Sequence, residues 1–151
     1  MSSIITVIES VVSDLTPEPE FFSGAKGWAN LKADEKVFPM VMLIEPITSN
    51  DTFHQGGLVD SAYPIFMLFL DRTELRDTPE QQRVIVDAMR DLRRQFILRL
   101  KKKTNANGEH IFKSIENVET IDTYNELDAN ASGVGVKFTA TPLNSDSVCV
   151  S

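Results

Sequence analysis

Ile4, Ile8, Val11, Val12 and Leu15 recur at the spacing of one helix face, which predicts a first helix over residues 3–15. Thr16-Pro17-Glu18-Pro19 ends it, because proline lacks the amide proton of the helical ladder and crowds the turn before it. Residues 20–36 are mostly polar, carry Gly24, Gly27 and the single Trp28, and read as a loop whose tryptophan is a lid over one end of the core or, if exposed, an interface anchor. Residues 37–47 (VFPMVMLIEPI) are apolar on both faces, rich in β-formers and bounded by prolines, the pattern of a buried strand. Residues 63–70 (YPIFMLFL) repeat that pattern. The segment between them, 48–62, holds Asn50-Asp51 and Gly56-Gly57 and is too long for a plain hairpin turn, so the strands are expected to extend into it as a protruding arm.

The clearest local signals bracket residues 78–103. Thr78 is placed to cap a helix, Pro79 suits its first position, and Gln81 completes a capping box. Ile85, Ala88, Met89, Leu92, Phe96 and Leu100 make an apolar stripe, with Arg83, Asp87, Arg90, Asp91 and Arg94 around it. Lys101-Lys102-Lys103 sit where the helix dipole favours cations, and the loop 104–108 follows. Residues 111–124 read as a long strand, 125–133 as a turn region in which Gly133 serves the turn, and 134–141 as a strand starting near Gly135. In that last strand Val134, Val136, Phe138 and Ala140 face the core, opposite a polar face. Pro142 closes the strand, leaving a tail over 143–151. The order αββαββ implies one domain over residues 1–151, an α+β two-layer sandwich with a mainly antiparallel sheet and helices packed on one face.

Composition narrows the setting. At 151 residues the chain is long enough for a single sizeable core, and its longest apolar run is far short of the roughly 20 residues of a membrane span. The N-terminal residues lack a basic region and a cleavage site, so no signal peptide is expected. A lone cysteine, Cys149, excludes an internal disulfide framework and fits a reducing compartment. Charge is divided unevenly. Residues 72–103 hold ten basic and five acidic side chains, whereas the rest of the chain holds five and seventeen, within a net charge of −7. A solvated helix face explains that division, as do opposed charged surfaces suited to pairing copies head to tail. The acidic total counts against a duplex-DNA reader, although Arg90, Arg93, Arg94, Arg99 and the three terminal lysines can meet phosphates passing nearby.

No catalytic pattern emerges. His54 and His110 lack metal-spaced partners, the glycine pairs lack the context of a phosphate loop, and no serine stands in a nucleophile elbow. Glu45, Asp71 and Glu74 could gather around magnesium only if the two adjacent strands bring them to one end of the sheet. Neither an enzyme nor a cofactor is expected. A small ligand-binding or regulatory module is the competing class, and it would need a pocket with a few convergent polar groups.

The whole-chain order resembles that of the small tail-terminator, tail-completion and neck ring proteins of tailed bacteriophages. The correspondence runs from the first helix through the loop with Trp28, the hydrophobic hairpin, Asp71-Arg72-Thr73 and the long helix to Val134-Gly135-Val136-Lys137-Phe138. The resemblance implies a virion subunit, assembled in the host cytoplasm, that closes into a hexameric or dodecameric ring. It also implies contacts with other neck, tail or portal proteins, DNA passing unread through the lumen, and no membrane partner. By that analogy Asn50, Asp51, Phe53 and His54 belong to an intersubunit arm, and Arg90 and Arg94 to an intersubunit or lumen face. Glu119, Asp122 and Glu126, within the acidic stretch 116–128, would form the complementary side.

Overall fold

The computed structural model describes residues 2–24, 38–45, 47–57, 59–73, 77–126, 131–143 and 148–149. Trp28, Glu74 and most of the expected tail lie outside that set. Strand β1 (Ser2–Ser3) leads directly into helix α1 (Ile4–Val12), which buries Ile4, Val7, Ile8, Val11 and Val12. Strands β2 (Glu20–Gly24), β3 (Met40–Ile44), β4 (Asn50–Phe53) and β5 (Val59–Arg72) follow. Helix α2 (Pro79–Lys102), β6 (Phe112–Glu126), β7 (Ala131–Pro142) and β8 (Val148–Cys149) complete the chain. Among the described residues the fold is mixed α+β with two helices and a six-stranded sheet.

The expected αββαββ order is not the observed one, because four strands rather than two separate the two helices among the described residues. One extra strand is the arm itself. The other, β2, occupies the start of the stretch expected to be loop and pairs in parallel with β3, from Glu20 opposite Met40 to Gly24 opposite Ile44. Its pairing is non-local, so the local sequence, with prolines upstream and glycine at its end, does not reveal it. The main path runs β2-β3-β5-β7-β6, antiparallel after the first pair, with β4 joined to β5 outside it. Strand β8 likewise gives the tail a short parallel pairing with β1.

Register assigns each sheet residue to a face. Val41 and Leu43 on β3 pair with Phe69 and Met67 on β5, which pair in turn with Val134 and Val136 on β7. These residues, with the buried faces of both helices, form one core cluster. Phe96 of α2 packs between the strands, its ring centroid 5.7 Å from Phe69 and 6.1 Å from Phe138. Met40, Met42, Leu68 and Leu70 point the other way into a second buried cluster. Gly135 belongs to that second side, where the rings and methyls of Phe66 and Leu68 lie over it, so the second face of β7 is apolar at this point rather than polar.

The long helix begins and ends as its sequence dictates. Thr78 Oγ1 accepts from the Gln81 amide at 3.3 Å, and Gln81 Oε1 accepts from the Thr78 amide at 2.7 Å, the reciprocal bonds of a capping box. Its buried stripe is shifted from the expected one. Val86, Met89, Leu92, Phe96, Ile97 and Leu100 are buried, Ile85 is half-buried and Ala88 is exposed. Apolar residues at 84, 85, 86, 97 and 98 permit more than one helical phase, and packing against the sheet selects the phase that leaves Val84 and Leu98 exposed. Past α2, the Asn105 side chain accepts from the amides of Asn107 and Glu109 and folds the loop onto itself. The turn expected over 125–133 is shorter, since β6 continues to Glu126 and β7 already starts at Ala131, placing Gly133 inside a strand.

Candidate assembly interface

The arm is a two-stranded hairpin. Asn50, Asp51, Thr52 and Phe53 pair with Ala62, Ser61, Asp60 and Val59, and all four β4 residues are exposed. The tip closes where the Gly57 amide donates to the His54 carbonyl, with Gly56 at φ 90°, a value that only glycine adopts freely at the third position of such a turn. His54 Nε2 lies 3.0 Å from Asp60 Oδ2, a bond across the tip between two half-exposed side chains. Alternation along β4 puts Asp51 and Phe53 on the same face of the hairpin. Phe53 is 76% exposed, more than any other large hydrophobic among the described residues. Burying such a ring is worth about 1.5–3 kcal/mol, a gain that the isolated chain leaves unused.

The basic helix face and the acidic strand are side by side in one chain. Arg90 reaches from α2 to Asp122 on β6, with Nη2 2.6 Å and Nε 2.8 Å from Oδ1. Arg94 pairs along the helix with Asp91 at 3.1 Å. Gln95 donates to the second Asp91 oxygen and also exchanges bonds with the backbone of Thr16, tying α2 to the exit of α1. The Gln95 hydrogen bond first, and Arg94 after it, hold the Asp91 carboxyl below the ordinary carboxylate range. Partial burial, together with its cationic neighbours Arg90 and Arg94, pushes the Arg93 pKa down, and its Nε is buried without a hydrogen-bond partner.

The acidic residues expected to form one complementary side do not share a face. Glu119 pairs with Lys137 on the side away from the helices, whereas Asp122 pairs with Val134 and turns toward α2. Glu126 is placed as the backbone partner of Ala131. Three exposed apolar residues on β6, Val118, Ile121 and Tyr124, were not singled out by the sequence pattern, because an edge strand and a buried strand use the same β-forming residue types.

The carboxylates considered for magnesium are held apart. Met40 pairs with Leu70, so Asp71 lies beside the start of β3 while Glu45 lies beyond its other end, about 20 Å away at the usual rise per residue. Among the described residues no group of three or more potential ligands gathers. No described helix is long and apolar enough to cross a membrane. Comparison with protein-family models and with curated proteins returns no match for this chain.

Proposed function

We propose that this chain is a structural subunit that closes into a ring with copies of itself at the neck or tail end of a tailed phage, working through protein–protein contact. The observation that carries this reading is the arm, an ordered hairpin whose strand β4 is wholly exposed and whose Phe53 has no apolar cover. We read the body as a two-layer α+β sandwich from which that arm projects. Other neck, tail or portal proteins are its proposed partners in the virion, after assembly in the host cytoplasm. No cofactor enters the proposal, and DNA would pass through the ring without being read. A groove of about 350 Å³ between α1 and β2 is one opening a ligand-binding module could use. It is lined by the exposed carboxylates of Glu9, Glu18 and Glu20 with no cation among its described lining residues, which favours assembly over ligand capture.

Imaging the purified full-length chain by negative stain tests the proposal. Closed rings with six- or twelvefold symmetry are expected. A field of uniform monomers at micromolar concentration would contradict it.

A further inference from the structure

On the sheet face away from the helices, a bulge in β6 opens a cleft against β7 and β5. Glu116 pairs with Thr139 and Glu119 with Lys137, so two residues of β6 oppose Phe138 alone, and Asn117 takes a left-handed φ of 56° there. Such a conformation is unfavourable for most side chains and tolerated by asparagine, and bulges of this kind often re-aim a strand beside a working surface. The cleft holds about 200 Å³ and is walled by Pro64, Phe66, Asn117, Lys137 and Thr139. Its floor is apolar and its rim carries a cation. Lys137 is exposed, reaches over Phe66 with its Nζ 5.7 Å from the ring centroid, and has no ion-pair partner among the described residues even though Glu119 is its cross-strand neighbour.

We propose that this cleft receives Phe53 of a second copy of this chain, with Asp51 of that copy meeting Lys137 at the rim. The inference rests on the ring-subunit reading and names the surface the arm docks on. The two sides match in chemistry. Phe53 and Asp51 stand two residues apart on one face of the hairpin, and both are exposed with no side-chain hydrogen bond, ion pair or ring contact among the described residues. The receiving side offers a ring-sized apolar hollow beside a cation with no ion-pair partner among the described residues.

Geometry excludes docking within one subunit. Phe53 is paired with Val59, and the cleft begins at Pro64 on the same strand, five residues or about 17 Å further along. A rigid hairpin cannot fold back to cover that distance. Projection and hollow therefore lie at separate places on one molecule, the arrangement that joins copies head to tail and closes into a ring when the rotation per subunit divides the circle.

The test follows the mass of the full-length chain by light scattering and native mass spectrometry. Phe53→Ala and Lys137→Glu are made separately, and Asp51→Lys is combined with Lys137→Glu. All three positions are exposed, so circular dichroism and thermal melting should match the parent chain. Phe53→Ala is expected to weaken assembly roughly 30-fold or more, the effect of losing an anchoring aromatic. Lys137→Glu should also dissociate the assembly, and the charge-exchanged double variant should recover it. Mixing the Phe53→Ala and Lys137→Glu chains leaves one good projection and one good hollow between them, so discrete dimers are expected where neither chain associates alone. If the parent assembles and Phe53→Ala assembles equally well, this docking is overturned while the ring reading stands. If the parent is monomeric throughout, both fall.

Discussion

At Gly133, strand β7 passes so close to β5 that a Cβ would collide with the carbonyl oxygen of Phe69 and lie 3.0 Å from the Met89 side chain. Neither the strand backbone nor the helix above can yield without loosening the main core, so Gly133→Ala should cost about 1–3 kcal/mol. A lowered urea midpoint at unchanged slope would show this; an unchanged midpoint would mean that the sheet relaxes freely. Gly135 differs, because a Cβ there would meet the movable ends of Phe66 and Leu68 at 3.2 and 3.4 Å. Sequence alone marks Gly133 as a turn residue and Gly135 as a strand start. The reason both are glycine lies in neighbours more than forty positions away in the chain. Arg90 shows the same limit. Its charge is legible, but its pairing with Asp122, 32 residues on, is not.

Elements were legible where their causes are local. Helix α2 carries its own start and stop, and the capping box at Thr78 and Gln81 forms as the spacing requires. The core-facing alternation of β7 survives for the same reason, since a period of two needs no partner to be visible. Strand β2 is not visible in the local sequence because it is defined by its parallel neighbour, and the helix stripe differs from the expected one because clustered apolar residues allow several phases. Gln95 is the side chain that couples the two helices, holding Thr16 at the exit of α1 while donating to Asp91. A carboxyl whose pKa is depressed in the folded state adds stability above its unfolded pKa of about 3.9, and that contribution is lost as pH falls through the folded value. Gln95→Ala should therefore raise the Asp91 midpoint toward the ordinary range in an NMR titration and make the acid limb of the stability curve shallower. An unmoved midpoint would assign the shift to Arg94 instead.

Taken as a whole molecule, the chain is less polarised than its sequence. The excess of cations between residues 72 and 103 is partly answered inside the subunit, by Asp122 for Arg90 and by Asp91 for Arg94. Exposed pairs of this kind contribute about 0–1 kcal/mol and weaken with salt. In the proposed assembly, charge matching by the α2 face is thus a minor term beside the Phe53 and Asp51 contacts of the arm, and moderate salt should be tolerated far better than loss of the arm. The arm was legible from the length of segment 48–62 and from Gly56 and Gly57. The cleft was not, because its walls come from three strands and a bulge whose register no local pattern sets. The most direct measurement is native mass spectrometry of the full-length chain beside a variant lacking residues 49–57. The parent should give one closed multiple, six or twelve copies, while the deletion should give a folded monomer. A monomeric parent, or a deletion variant that assembles as the parent does, would contradict the account.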